Sequence, residues 1–310
     1  MVPVLQVEDL SISFTQYTSG LRRRTISAVR GLNLAVEAGQ VVAVVGASGS
    51  GKSLLAHSIL GLLPYNSRME GRIVYQGAPL TIDRLKQLRG REIVLAPQGV
   101  SYLDPLMQVD KQLRRGRRDA QARADSRAAL ARYGLGPDTG RKYPFELSGG
   151  MARRVIMAAA AMEQPRLLIA DEPTPGMDAP AARRLLGHFR ALAAEQTAVL
   201  FITHALDLAI EVADRVVVLY AGQTIEEAAA EDFQSVHRLR HPYTRALWRA
   251  MPQHDFAPLP GAQPGPGQAE SGCPFAPRCP KARAACGQTV PYRPFGGGWV
   301  RCLYAEEGDA

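Results

Sequence analysis

Glycine, lysine and serine residues stand at a spacing suited to phosphate binding in the segment GASGSGKS, residues 46–53. The segment fits the pattern G-x-x-x-x-G-K-[ST], in which glycines let backbone N–H groups wrap a phosphate chain. The helix expected after it adds the partial positive charge of its N-terminus. Lys52 is predicted to hold the outer phosphates, and the Ser53 hydroxyl to bind Mg²⁺. The predicted nucleotide-binding residues are Gly46, Ala47, Ser48, Gly49, Ser50, Gly51, Lys52 and Ser53.

Two adjacent carboxylates follow an apolar run further along the chain. Residues 167–170 read LLIA, and Asp171 and Glu172 come directly after them. In a nucleotide-binding chain, Asp171 is placed to bind Mg²⁺ through water, and Glu172 to polarise the water that attacks the terminal phosphate. An acidic helix cap is the plain alternative, and it is a poor explanation downstream of a phosphate-binding loop.

A second small-residue turn precedes another predicted helix. Ser148, Gly149 and Gly150 open an alanine-rich helical pattern over 151–162. A serine hydroxyl and two small residues at a helix N-terminus can bind an anion. One chain has no obvious need for two such sites, so we expect this one to face the γ-phosphate of a nucleotide held by a partner subunit.

Strands and helices alternate along most of the chain, and this order must position the groups above. Val-rich and Leu-rich runs at 41–45, 167–170 and 198–202 predict buried strands, each followed by a turn and a helical pattern. The alternation predicts an α/β fold with a mostly parallel sheet covered on both faces, with the nucleotide at the carboxyl ends of the strands. After residue 222 we expect a charged helix at Glu226–Phe233 and, from Gln253, a linker rich in Pro, Gly and Gln.

Composition and charge limit the classes of protein to which this chain can belong. The chain has 310 residues and a formal charge of +8, with the fractions of charged and hydrophobic residues of a soluble globular protein. A basic run at Lys111, Arg114, Arg115, Arg117 and Arg118 suggests a solvated face or, second, proximity to lipid head groups. No apolar run approaches the roughly 18 residues of a membrane span, and the acidic N-terminal stretch is unlike a signal peptide. We therefore expect the chain to stay in the cytoplasm.

Taken together, these motifs resemble those of the ATP-binding subunits of ABC transporters. The resemblance covers about residues 4–252 and implies a P-loop NTPase fold with an antiparallel β subdomain and a small helical subdomain at about 99–160. It implies that Gln98 contacts Mg²⁺ and the membrane partner, that Glu172 is the catalytic base, and that His204 contacts the γ-phosphate. Asp178 matches the family's D-loop, and LSGGM at 147–151 its signature loop. The implied ligands are ATP and Mg²⁺, the latter held by Ser53, Gln98 and Asp171.

Three departures from the family pattern stand out. The D-loop reads Pro175-Gly176-Met177-Asp178 in place of the more common T-A-L-D, and the segment between Gln98 and Ser148 is short. The aromatic residue that the family stacks on adenine is not evident, because Ile26 stands near that place. Phe14 and Tyr17 are candidate substitutes.

Features of the second half of the chain resemble the dipeptide, oligopeptide and nickel importer branch. These are LSGGM, RVVVLYAGQTIE, HPYTRALWRAMP and a tail with Cys273, Cys279, Cys286 and Cys302. We divide the chain into an ATP-binding domain at 1–252 and a linker with the cysteine-containing C-terminal region at 253–310. The cysteine tail favours a peptide substrate, whereas APQGVSYLDP at 96–105 looks more like nickel or metal-chelate members.

The four cysteines have the spacing C-x5-C-x6-C-x15-C, which is not that of a paired C-x-x-C zinc ribbon. A disulfide framework is unexpected in the cytoplasm, and a proline-rich tail suggests a metal staple. The resemblance implies a [4Fe–4S] cluster; zinc and reduced structural thiols stay open as alternatives.

The resemblance also implies the partners. We expect two transmembrane permease subunits, a second ATP-binding subunit in a heterodimer, and indirect action with an extracytoplasmic solute-binding protein. The chain would then lie peripherally at the cytoplasmic face of the inner membrane, and no nucleic-acid partner is expected. The alternative from another class is a soluble ABC ATPase that acts on nucleic-acid complexes in translation or repair.

Overall fold

The structure is a computed structural model that describes residues 2–17, 22–268 and 271–306. The described residues form twelve strands: β1 (Leu5–Tyr17), β2 (Arg23–Val36), β3 (Val41–Gly46), β4 (Ser67–Tyr75), β5 (Ala78–Pro79), β6 (Ile93–Ala96), β7 (Leu167–Asp171), β8 (Ala198–Thr203), β9 (Arg215–Tyr220), β10 (Gln223–Ala229), β11 (Arg293–Phe295) and β12 (Gly298–Val300). They also form eight α-helices: α1 (Lys52–Ile59), α2 (Ile82–Leu88), α3 (Val109–Leu113), α4 (Ala120–Arg132), α5 (Gly149–Ala161), α6 (Ala179–Ala194), α7 (Leu206–Val212) and α8 (Pro242–Arg249).

The phosphate-loop strand β3 lies inside a sheet of eight strands in the order β11-β12-β10-β9-β3-β8-β7-β6. From β9 to β6 the strands are parallel, and β10, β12 and β11 extend the sheet antiparallel at the β9 edge. The predicted α/β fold with a mostly parallel sheet is therefore confirmed.

Both faces of β3 are buried, which explains its uninterrupted run of apolar residues. Val41, Ala43 and Val45 pack into one core with helices α5, α6 and α7. Val42 and Val44 point into a second core shared with α1 and a four-stranded antiparallel sheet, β2-β1-β4-β5. The antiparallel sheet thus covers one face of the parallel sheet.

A helical region lies between the sixth and seventh strands and contains α3, α4 and α5. Its apolar residues Leu113, Leu130 and Tyr133 belong to the same core as α6 and α7. Part of the basic run is neutralised inside this region, because Arg114 pairs with Asp110 at 2.7 Å and Arg115 with Glu163 at 3.3 Å. These pairs favour an ordinary solvated face for the run.

The expected charged helix at Glu226–Phe233 is wrong. Residues 223–229 form strand β10, and a 3₁₀ turn at Ala230–Gln234 follows it. The Glu226 carboxylate is fully buried and accepts the backbone N–H groups of Arg240 at 2.8 Å and His241 at 2.7 Å. These partners are 14 and 15 residues away from Glu226, so the local sequence does not reveal them. Two adjacent glutamates without visible partners are typical of the exposed face of a helix.

Residues beyond the predicted boundary at 253 contribute to the main sheet and its core. Strand β12 pairs antiparallel with β10, and Phe275 is completely buried among the rings of Tyr220 and Tyr243. The guanidinium of Arg301 donates to the carbonyl oxygens of Gly31, Thr224 and Val290 at 2.7–3.1 Å. The C-terminal region is thereby joined to both sheets, and the placement of a domain boundary at 253 stays a prediction. Residues 1, 18–21, 269–270 and 307–310 of the two predicted domains lie outside the described residues.

None of the helices in the described ranges is long and apolar enough to cross a membrane.

Replacement of Arg301 by Ala should destabilise the protein, because three part-buried carbonyl groups lose their donor together. We expect the free energy of unfolding to fall by about 2–4 kcal/mol. Urea unfolding measures this loss, with Arg238→Ala on an exposed position as the control. An Arg301→Ala protein as stable as the control would show that the guanidinium does not hold the C-terminal region in place.

Candidate active site

The phosphate-binding loop connects β3 to α1 through glycines that the surrounding backbone requires. A Cβ on Gly46 would lie 2.5 Å from the carbonyl oxygen of Leu219, so only glycine fits beside strand β9. Gly51, the N-cap of α1, has φ +95°, a conformation that side chains strongly disfavour. These glycines let the loop turn directly from β3 into α1, and residues 48–49 and 51–53 of the predicted set line the cleft, whereas Gly46, Ala47 and Ser50 do not.

Lys52 lies under this loop and is 7% exposed. Its Nζ donates to the carbonyl oxygens of Gly46 at 2.7 Å and Ala47 at 3.0 Å. Burial lowers the pKa of Lys52, while the nearby carboxylates of Glu172 and Asp171 oppose that shift. The ammonium group is thus held at the point where the loop would receive the outer phosphates.

Ser53 and Asp171 meet next to this lysine, and both are predicted Mg²⁺ ligands. Burial raises the pKa of Asp171, and the nearby Ser53 hydroxyl opposes that shift. The Oδ1 atom of Asp171 is buried and has no hydrogen-bond partner among the residues that the structure describes. A buried carboxylate oxygen without a partner, beside a serine hydroxyl, is the donor set that a hard divalent cation requires. The residues present therefore fit Mg²⁺.

Glu172 and His204 form the pair expected at the terminal phosphate. They follow β7 and β8, and the Nδ1–H of His204 donates to Oε2 of Glu172 at 2.9 Å. Glu172 is 6% exposed and has φ +47°, a left-handed conformation that costs about 1–3 kcal/mol for such a residue. Its backbone N–H donates to the carbonyl of Ile202 at 2.9 Å, which fixes the turn. The carboxylate is consequently aimed at the cleft.

Arg153 is a site residue that the sequence analysis missed. It lies one turn into α5, the helix that Ser148 caps, and its Nη1 donates to the carbonyl oxygens of Gln98 at 3.0 Å and Glu172 at 3.2 Å. One guanidinium thus links the signature helix to the backbone of two predicted catalytic residues. Arg153 stands four residues after Gly149 and therefore lies on the same face of the helix. This spacing could have indicated a role for Arg153 in the site.

Most of these groups line one open cleft, although Asp171 and Arg153 do not. Its walls contain residues 48–49 and 51–54 of the loop and helix α1, together with Gln98, Glu172, His204, Ala28 and Pro266. Ser148, Gly149, Gly150 and Asp178 are not part of this lining. Ser148 and Asp178 instead cap α5 and α6, and the two glycines of the signature loop have open space around them. The phosphate loop and the signature loop of one chain therefore do not enclose a common site.

The candidate adenine-stacking residues lie away from the cleft lining. Phe14 pairs with Ile26 across β1 and β2 and packs against the second core, and the exposed Tyr17 ring lies under the Arg23 guanidinium. The lining residues outside the predicted motifs are Ala28 and Pro266. No local pattern pointed to Pro266, because it is more than two hundred residues away in sequence from the phosphate loop.

The four cysteines converge, although they are spread over thirty residues. Cys273, Cys279, Cys286 and Cys302 line one small pocket with His241, whose Nε2 is 3.9 Å from the Cys273 sulfur. His241 is buried, and its Nδ1 accepts the backbone N–H of Tyr243 at 3.0 Å. Within the described residues, no set of three or more His, Cys, Asp or Glu side chains is arranged to hold a metal ion.

Two family descriptions match the chain: "ABC transporter" over residues 29–175 and "Oligopeptide/dipeptide transporter, C-terminal region" over residues 225–286. The dipeptide transport ATP-binding protein DppD of Bacillus subtilis is 34% identical over 312 residues, which cover 94% of this chain and 91% of that protein. The chain belongs to the ABC transporter family of ATP-binding proteins.

A second relative and a solved structure support the same family assignment. The oligopeptide transport ATP-binding protein OppD of Mycobacterium tuberculosis is 37% identical over 92% of this chain, which spans about half, 49%, of that relative's length. A dimeric structure of a bacterial ABC transporter cassette matches 73% of this chain and 98% of its own, with a TM-score of 0.64 and 24% identity. This last likeness concerns the fold alone, and it confirms the ABC ATPase fold of this ATP-binding protein.

Replacement of Arg153 by Ala should slow ATP hydrolysis, because the backbone at Gln98 and Glu172 loses a shared donor. We expect kcat to fall roughly tenfold to hundredfold, as misplaced catalytic groups lose rate steeply. ATP affinity should stay unchanged, since Arg153 does not line the phosphate loop. Phosphate release and nucleotide binding measure the two effects, with Arg123→Ala on an exposed position of α4 as the control. A wild-type kcat would overturn the assignment.

Proposed function

We propose that this chain is the ATP-hydrolysing subunit of a membrane ABC importer for dipeptides or oligopeptides. The contact of Glu172 with His204, in the cleft that also holds the phosphate loop, carries this proposal. It is the arrangement needed to order a water against a terminal phosphate. The names of the peptide-transport relatives support the process that hydrolysis would drive.

Each motif residue has a proposed role that fits its position. Lys52 and the backbone of 46–53 would hold the phosphates. Ser53, Asp171 and Gln98 would hold Mg²⁺, which would neutralise the charge that develops on the phosphates. Glu172 orients and polarises the attacking water. His204 fixes the Glu172 carboxylate and contacts the γ-phosphate.

The open signature loop supports a second ATP-binding subunit as partner. Ser148, Gly149 and Gly150 are outside this chain's own cleft, and the glycines leave room for another group. A head-to-tail pair would place them at the partner's nucleotide, near the exposed Asp178. We propose that this partner is a different chain, so that the pair is a heterodimer closed by ATP and reopened by hydrolysis.

An exposed apolar surface next to Gln98 supports contact with permease subunits. Val100, Tyr102 and Leu106 follow Gln98 within eight residues and are 40%, 64% and 88% exposed. Large exposed apolar side chains that lie close together mark an interaction site. We propose that two transmembrane permease subunits cover this surface, which puts the chain on the cytoplasmic face of the inner membrane. An extracytoplasmic solute-binding protein would deliver the peptide to these subunits.

Cellular uptake tests the proposal directly. Glu172→Gln should abolish uptake of a labelled di- or tripeptide and lower phosphate release by about a hundredfold or more, because the amide cannot act as a base. ATP should remain bound in a closed dimer. Glu163→Gln is the matched control, since Glu163 pairs with Arg115 away from the cleft.

Three results would contradict parts of this proposal. Undiminished hydrolysis by Glu172→Gln would refute the catalytic role. Uptake of nickel or a metal chelate in place of peptide would move the substrate to the other members of this branch. Co-purification with RNA or DNA in place of membrane subunits would favour the nucleic-acid alternative, which the names of the relatives do not support.

We further propose that the four cysteines bind a [4Fe–4S] cluster, on the ground that all four line one pocket. Four thiolates are the number of ligands that such a cluster needs, each on a different iron, whereas a zinc ion needs its sulfurs about 2.3 Å from a single centre. The cluster would act as a staple for the C-terminal region, and His241 would donate its Nε2–H to the Cys273 sulfur.

Anaerobic purification should yield a coloured protein with absorption at roughly 400 nm and about four iron and four sulfide per chain. Cys279→Ser should lose most of the iron, whereas Tyr304→Phe, which also lines the pocket, should keep it. A colourless protein with zinc would assign the pocket to zinc, and one with no metal would leave it to reduced thiols.

A further inference from the structure

A proline-glycine segment of the C-terminal region lies across the outside of the nucleotide cleft. Residues 263–267 read Gln-Pro-Gly-Pro-Gly, and we call them the strap. The backbone N–H of Gly267 donates to the carbonyl oxygen of Ser27 in β2 at 3.2 Å. At the other end of the strap, the Gln263 side chain lies beside Gly49 of the phosphate loop. The strap thus touches both the antiparallel sheet and the loop.

Pro266 is the strap residue that lines the cleft itself. The cleft contains the phosphate loop with helix α1 and the three predicted catalytic residues, and its remaining walls are Ala28 and Pro266. Pro264 stands two residues earlier and, together with Pro266, lines a neighbouring pocket. Of the two prolines of the strap, Pro266 lines the nucleotide cleft and Pro264 does not.

The residues that line the cleft differ in chemistry. Lys52, Glu172 and His204 supply charge and polar atoms suited to phosphates, whereas Ala28, Leu54 and Pro266 are apolar. A purine base is the part of a nucleotide that gains from apolar contact. No aromatic ring takes this role in the cleft lining, because Phe14 packs in the second core and Tyr17 lies beside Arg23.

We propose that Pro266 forms the wall against which the base of the bound nucleotide packs, in place of an aromatic side chain. The proline ring offers a rigid apolar face, and its fixed φ limits the entropy lost when the strap is ordered. This inference rests on the proposed nucleotide site and deepens it. It makes the C-terminal region part of the ATP-binding cleft.

The cysteine-containing region anchors the strap near its start. Arg278, between Cys273 and Cys279, donates from Nε to the carbonyl oxygen of Pro260 at 2.8 Å and from Nη2 to that of Leu259 at 3.0 Å. Its Nη1 donates to the hydroxyl of Tyr220 at 3.0 Å, which ties the same guanidinium to the main sheet. The position of Pro266 consequently depends on how the C-terminal region is folded.

The test compares a complete nucleotide with its phosphate part alone. In the purified full chain with Mg²⁺, Pro266→Ala should weaken ATP binding about fivefold, the loss expected when a small apolar contact is removed. Binding of inorganic tripolyphosphate should not change, since it lacks a base. Titration calorimetry measures both, and Pro264→Ala is the matched control because it removes the other proline of the strap.

A kinetic measurement separates contact with the base from a general loss of structure. In the assembled transporter, Pro266→Ala should raise KM for ATP by a similar factor and leave kcat unchanged, because it removes binding and no catalytic group. A fall in kcat with unchanged KM would overturn the proposal.

The binding results have three other outcomes, and each is decisive. Equal ATP affinity in Pro266→Ala and wild type would overturn the contact with the base. Tighter ATP binding by Pro266→Ala would show that the strap obstructs the cleft, which also overturns it. A wild-type chain that binds neither ATP nor tripolyphosphate would refute the proposed nucleotide site, a failure distinct from the first two.

Discussion

Parallel pairing of β3, β8 and β7 is the constraint on which the site depends. Val45 is in register with Thr203, and Asp171 with Ile202, so these strands end at the same edge of the sheet. The phosphate loop, the carboxylates and His204 each follow the end of one of these strands. Burial on both faces of β3 holds this register, because a slip by one residue would exchange the two cores. Glu172 and His204, which are 32 residues apart, thereby meet at hydrogen-bond distance, and Lys52 of the phosphate loop lines the same cleft.

The helical region is connected to this edge through Arg153. The guanidinium spans from α5 to the backbone of Gln98 and Glu172, while Ser148 caps the same helix. Arg153 therefore makes a direct contact between the helix that follows the signature loop and the turn that carries Glu172. Glu172 itself is held in a left-handed backbone conformation, so its orientation relies on the surrounding hydrogen bonds.

The C-terminal region is an extension of the ATP-binding fold in this structure. Strand β12 lengthens the main sheet, Phe275 completes an aromatic group in the core, and Arg301 reaches both sheets. Buried charges such as Glu226 and Arg240 are tolerated because each is hydrogen-bonded. The same region carries the pocket of four cysteines and the strap, so its folding and the shape of the nucleotide cleft are linked.

Local sequence is enough to identify the phosphate loop, the two carboxylates, the parallel α/β sheet and the family. These features are local: a strand, a glycine turn and a helix follow one another, and their spacing is set by backbone geometry. It misassigned residues 226–233, because the partners that allow two glutamates to be buried are 12 to 65 residues away. Three other features are visible only in the folded structure. Arg153 joins Gln98 to Glu172, four cysteines far apart in sequence line one pocket, and Pro266 lines the cleft. Each depends on contacts between segments far apart in the chain, and such contacts leave no periodic pattern in the sequence.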